Sequence, residues 1–215
     1  MKGRKMMSWT NFIMLMLLGV STAGLTAAQT AIPIDTVSPA TSRFGVGAQL
    51  GYFKSSGADQ GTVYYGAEAR YMIGSMLGFE ATLGYRGEQV FNFGKVAGNE
   101  LSANITSVPF TVSMIIFIPL RSTSLVPYGL VGAGLYLMTV DYSADINKVM
   151  GDQTETEGGV HLGLGAQVPL TPGIVAHADY RYLFVSEIFE SSPVYDFSSK
   201  KYGGGLMSLG LMVFF

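Results

Sequence analysis

From Arg43 onward the side chains alternate in character with period two, segment after segment, and one face of most segments is wholly apolar. The first sets Phe44, Val46, Ala48, Leu50 and Tyr52 against Gly45, Gly47, Gln49 and Gly51. The second sets Val63, Tyr65, Ala67, Ala69 and Tyr71 against Gly66, Glu68 and Arg70. The third opposes Leu77, Phe79, Ala81, Leu83 and Tyr85 to Gly78, Glu80, Thr82, Gly84 and Arg86. The sixth opposes Val160, Leu162, Leu164, Ala166 and Val168 to His161, Gly163, Gly165 and Gln167, and the seventh opposes Ile174, Ala176, Ala178, Tyr180, Tyr182 and Phe184 to His177, Asp179 and Arg181. A two-residue period belongs to strands whose faces meet different surroundings. A run of about ten residues is what a tilted strand needs to cross a bilayer.

Two segments are less regular. The fourth keeps Val108, Phe110, Val112, Met114, Ile116 and Ile118 on one face, but Ile115 and Phe117 interrupt the other. The fifth, Val126 to Thr139, is apolar on both faces; Val131, Ala133, Leu135 and Leu137 are placed outward, Gly132 and Gly134 inward. The C-terminal segment, with Met207, Leu209, Leu211, Val213 and Phe215 on one face, makes the eighth. The intervening gaps alternate: 54–62, 87–103, 140–156 and 187–203 are long, whereas 73–76, 119–124 and 169–173 are short. An up-and-down barrel with one spacious and one cramped rim has that pattern. Unpaired backbone groups cost several kcal/mol each in hydrocarbon, so membrane strands must close on themselves. The pattern therefore predicts an all-β fold, an eight-stranded antiparallel up-and-down transmembrane β-barrel spanning 43–215. A soluble lipocalin-type barrel, also eight-stranded, would reverse the faces.

Charged residues make up 13% of the chain, about half the usual share of a soluble domain. The only long apolar stretch is N-terminal: Lys2, Arg4 and Lys5 precede Phe12 to Val20, and small residues follow. Its nine apolar residues fall short of the roughly 20 a spanning helix needs, so 1–28 reads as a secretory signal peptide. Cleavage is expected after Ala28, with Ala23 as an alternative site and an uncleaved anchor as the rival reading. Residues 29–42, polar with two prolines, form a flexible lead-in. The absence of cysteine excludes a disulfide framework and a lipidated anchor. A net charge of −2 with 13 scattered Lys and Arg gives no nucleic-acid surface.

If the chain starts on the periplasmic side, Phe44, Tyr71, Phe79 and Phe215 fall near the inner rim, and Tyr52, Tyr65, Tyr85, Tyr182 and Phe184 near the outer one. Two aromatic girdles result. The runs PYGLVGAGLYL (Pro127 to Leu137) and HADYRYLF (His177 to Phe184), with the ending SLGLMVFF, resemble the small eight-stranded outer-membrane barrels of the OmpA/OmpX and opacity-protein kind. The resemblance covers 43–215 and implies a monomer in the outer membrane of a Gram-negative cell, in contact with lipid and lipopolysaccharide. Leu209, Leu211, Val213 and Phe215 are similar to that family's C-terminal assembly signal, which implies the barrel-assembly machinery as a partner. No cofactor is implied.

The inward faces carry Glu68, Arg70, Glu80, Arg86, Asp179 and Arg181, with His161 and His177. Three acids balance three arginines. An eight-stranded barrel is just wide enough for side chains to fill, and buried charges must be paired. The expected arrangement is a lumen ion-pair network in which Arg70 lies opposite or diagonal to Glu80. A narrow porin-like path for ions or small solutes is the alternative. A lipopolysaccharide-modifying enzyme is a third reading; it needs a nucleophile, a base and an orienting acid in reach. Neither His161-Leu162-Gly163 nor His177-Ala178-Asp179 has the His-x-Ser arrangement of lipid A deacylases. His177 and Asp179 share a face, with no hydroxyl nucleophile evident beside them.

Asp141, Asp145, Asp152, Glu155 and Glu157 cluster in the third long gap without EF-hand spacing, and read as a solvated acidic loop. Gly45/Gly47, Gly132/Gly134 and Gly163/Gly165 lie inside strands with no following helix, so they make room in a tight barrel rather than cradle phosphate. The long outer segments, with Phe91, Phe93, Tyr142, Phe189, Tyr195 and Phe197, are where an unidentified surface ligand would be met. The functional expectation is a non-enzymatic barrel with envelope-structural and surface-interaction roles.

Overall fold

The computed structural model describes residues 43–96, 99–118, 120, 124–142, 153–185 and 202–215. The expected leader 1–28 and lead-in 29–42 lie outside the described residues. Eight strands, β1 (Arg43–Ser55), β2 (Thr62–Ile73), β3 (Leu77–Val96), β4 (Asn99–Phe117), β5 (Val126–Tyr142), β6 (Gln153–Pro169), β7 (Ile174–Val185) and β8 (Gly204–Phe214), form one closed antiparallel barrel in chain order. β8 returns to β1 through eleven partners, from Gly45↔Phe214 to Ser55↔Gly204. No strand of the closed ring is left with a bare edge, the condition hydrocarbon imposes on a spanning sheet.

Period-two alternation sets the register because a one-residue slip would turn every lipid-facing side chain into the lumen. The apolar faces point out. Leu50, Leu83, Val131, Leu164 and Leu211 are all more than half exposed, whereas Glu80 and Arg181 inside the barrel are 1% and 5% exposed. This orientation rules out the lipocalin alternative, which needs the reverse. The inner rim turns tightly after β2, where Gly74 takes φ of 66°, a left-handed backbone that other residues adopt at a cost. Phe44, Tyr71 and Phe79 stand exposed toward that rim, and the stacked pair Tyr65–Tyr85 (5.2 Å) and the tilted pair Tyr182–Phe184 (4.9 Å) stand toward the other.

The long gaps are shorter than the sequence pattern suggests. β3 and β4 stay paired as far as Val96↔Asn99, so most of the expected loop 87–103 is a hairpin projecting past the outer rim. Two register shifts explain why the alternation hides it. Inward residues are even-numbered up to Arg86, but after the irregularity between Arg86 and Gln89 they are Gln89 and Phe91. A bulge inserts an unpaired residue and reverses the phase, so the strand reads as though it had ended. β5 and β6 likewise pair out to Val140↔Gln153, trimming the expected gap 140–156 at both ends. At 17–20 residues, β3 to β6 are longer than β1, β2, β7 and β8 at 11–13, and their outward residues Asn104, Thr106, Thr154 and Thr156 are polar. Phe189, Tyr195, Phe197, Asp145 and Asp152, together with the side chains of Phe93 and Tyr142, lie outside the described part.

Candidate functional site

The barrel interior is layered, and its middle layer is ionic. β2 and β3 place Arg70 directly opposite Glu80. The Arg70 guanidinium donates from Nη2 to Glu80 Oε2 at 2.5 Å and from Nε at 3.1 Å, and its Nη1 donates to Gln167 at 3.1 Å. Across the lumen, Arg181 on β7 donates from Nη2 to Glu80 Oε1 at 2.9 Å and from Nε to Asp179 Oδ1 at 2.7 Å. Glu80 thus joins two arginines from different sides of the barrel. Asp179 also accepts from the Tyr128 hydroxyl at 3.1 Å and Ser208 Oγ at 3.2 Å. The third carboxylate, Glu68, meets His177 Nε2 at 2.6 Å, while His177 Nδ1 lies 3.6 Å from Asp179. These side chains are almost wholly buried, so each carboxylate needs its cations: an uncompensated charge in such a place costs several kcal/mol.

Both histidines fit because glycine faces them. Gly210 pairs with His177 and Gly132 with His161, and a Cβ at either glycine would collide with the imidazole opposite. His161 is held differently from His177. Its Nε2 lies 2.8 Å from Ser113 Oγ on β4, and its Nδ1 has no partner. Arg86 also stands apart from the pairs. No carboxylate reaches it among the described residues; its guanidinium lies over the Phe53 ring at 3.9 Å and near Tyr136 at 5.1 Å. Its Nε and Nη1 have no hydrogen-bond partner.

Apolar layers lie on both sides of the charges. Toward the outer mouth, Phe53, Tyr64, Phe91, Ile105, Tyr136, Met138, Leu183 and Leu206 form one cluster with Tyr202, the residue two before β8. The Tyr202 ring sits 5.8 Å from Phe53 and 6.3 Å from Phe91, and its hydroxyl lies 2.7 Å from Ser107 Oγ. Toward the inner rim, Ile115, Phe117, Tyr128 and Leu130 form a second cluster, with Met72 and Val126 packed against it. Arg70 borders this one, 5.8 Å from the Tyr128 ring and 5.9 Å from Phe117. The irregular residues of the fourth segment, Ile115 and Phe117, are therefore lumen filling.

All eight charged or imidazole residues singled out from the sequence lie inside the barrel. Glu68, Arg70, Glu80, Asp179, Arg181 and His177 are in direct polar contact, and among the described residues no carboxylate pairs with Arg86 or His161. Of the inward hydroxyls and amides that complete the site, Gln167 is placed by the sequence on the face of His161, whereas Ser113, Tyr128 and Ser208 escape it because single polar residues carry no motif. Parity is the available signal: Tyr128 shares a face with Gly132 and Gly134, and Ser113 and Ser208 alternate with the outward residues of their segments. Leu209, Leu211, Val213 and Phe215 point outward, all at least two-fifths exposed.

A family model described as "Outer membrane protein beta-barrel domain" matches residues 12–213. The chain belongs to this family. Among solved structures, this barrel is similar to a major outer membrane protein of Thermus thermophilus, with 14% identity, TM-score 0.57, and coverage of 81% of this chain and 100% of that one. It is also similar to the outer membrane protein OprG of Pseudomonas aeruginosa, with 16% identity, TM-score 0.56, and coverage of 82% and 97%. At such identities the likeness extends to the fold. No curated protein matches the chain.

Proposed function

We propose that this outer-membrane barrel is a non-conducting, non-enzymatic scaffold that contributes to envelope structure and presents a projecting surface to partners outside the cell. The observation that carries the reading is the stacking of three layers in one lumen: an apolar cluster around Tyr202, the ion-pair layer of Arg70, Glu80, Asp179 and Arg181, and a second apolar cluster around Phe117 and Tyr128. A permeating ion would have to part both greasy layers and break charge pairs at 0–6% side-chain exposure. The Ser113–His161 pair gives an enzyme little to work with: both residues are buried, and the imidazole's second nitrogen has no acid to orient it. The four longer strands, β3 to β6, carry polar outward residues past the girdle, where a rigid rim supports recognition.

Under this proposal residues 1–28 export the chain. Leu209, Leu211, Val213 and Phe215 are read by the barrel-assembly machinery, and the finished barrel is a monomer in contact with lipid and lipopolysaccharide. Single-channel recording in planar bilayers tests the closed lumen. The wild type should give no steps above baseline. Discrete steps whose size changes in Arg70→Ala or Glu80→Ala would favour the narrow channel instead.

A further inference from the structure

Between the ionic layer and the outer apolar cluster lies a cavity of about 20 Å³. Its polar walls are Tyr64, Arg86, Thr111, Tyr136, His161 and Arg181, and no carboxylate among the described residues lines it. We propose that this cavity is a binding site for one monatomic anion, chloride, with Arg86 as its principal partner.

Charge is the first reason. The three fully buried carboxylates among the described residues are taken: Glu80 by Arg70 and Arg181, Asp179 by Arg181, and Glu68 by His177. Arg86 is left, 3% exposed and with two guanidinium nitrogens unbonded. The faces of Phe53 and Tyr136 attract it through their ring quadrupoles, but that attraction is weaker than a counter-charge in a water-poor interior.

The wall chemistry is the second reason, because the polar groups can all donate. Two guanidiniums face the cavity. The Tyr64 hydroxyl accepts from Gln49 Nε2 at 3.3 Å, leaving its own proton to give. The Tyr136 hydroxyl lies close to Arg86 without a well-formed hydrogen bond, and His161 Nδ1 makes none. Three buried groups short of well-formed hydrogen bonds around one small space is a concentration that native interiors rarely tolerate without an occupant. The small size of the space favours a monatomic occupant over phosphate or sulfate. A water could satisfy some of the donors but would leave the Arg86 charge uncompensated. The anion would also fix Arg86 beneath the Tyr202 cluster and so tie the ionic layer to the outer plug.

Two measurements test this. Crystals of the full barrel grown in bromide should give an anomalous peak between Arg86 and His161; ordinary water density there with no anomalous signal overturns the site. The urea midpoint of the barrel folded in lipid vesicles should be higher in sodium chloride than in sodium gluconate at equal ionic strength, and Arg86→Met should abolish that difference. A chloride effect of unchanged size in Arg86→Met overturns the proposal. Should Arg86→Met fail to fold, the bromide peak in the wild type decides alone. Neither readout depends on whether the lumen conducts.

Discussion

Ala48→Arg places a charge where the account says the bilayer is most hostile. Ala48 is exposed on the outer face of β1, with Ala67 and Leu211 as its cross-strand partners. Phe44 of the inner girdle and Tyr52 of the outer one lie four residues to either side. At a rise of about 3.3 Å per residue and a tilt near 40°, each girdle is roughly 10 Å away along the barrel axis. Ala48 is therefore at the midplane of an apolar band about 25 Å tall, where an arginine costs about 2–4 kcal/mol. No core packing is lost, since alanine contributes almost none. The assay is equilibrium urea titration of the barrel in lipid vesicles, with Asn104→Arg as control. Asn104 lies on the outward face of β4 beyond the girdle, so its substitution should cost well under about 1 kcal/mol. Equal costs at the two positions would refute the placement of the membrane on the barrel.

Glu80→Ala should destabilise by about 3–5 kcal/mol in the same titration, because Arg70 and Arg181 lose a shared, fully buried carboxylate; Arg70→Met with Glu80→Met should recover much of that loss, and a small effect of the single change would remove the network from the account. Gly210→Val should cost about 1–3 kcal/mol through collision with the His177 ring, and wild-type stability in the variant would contradict the packing described. Deleting Phe215, which is 74% exposed, should lower the amount of barrel in the outer membrane while leaving in vitro stability nearly unchanged; normal membrane levels would end its role as an assembly signal.

The strands were legible where one face meets lipid and the other meets small or charged residues, because that contrast repeats every second position. Leu164, Leu209 and Leu211 against His161, His177 and Arg181 is such a case. Legibility failed where the lumen itself is apolar. Ile115, Phe117, Leu206 and Met212 are buried inside, and no rule of alternation separates a greasy inward residue from a greasy outward one. It failed again at Gly87 and Glu88, where the bulge shifts the phase and conceals the continuation of β3. The opposition of Arg70 and Glu80 could be anticipated from a hairpin with a short turn. The role of Glu80 toward Arg181 could not, because it depends on which side chains face one another across a closed lumen. Tyr202 lay hidden at the end of a long gap with no pattern to mark it as part of the outer cluster.

The central claim concerns which way the two faces look, and the absence of cysteine makes it easy to probe with single introduced thiols. Nitroxide labels at Val46, Leu164, Leu209 and Leu211, in barrels folded into vesicles, should collide readily with dissolved oxygen and scarcely with a water-soluble nickel chelate. Labels at Asn104 and Thr156 should show the reverse. Nickel-accessible labels at the four apolar positions, or oxygen accessibility that does not distinguish the two sets, would contradict the account.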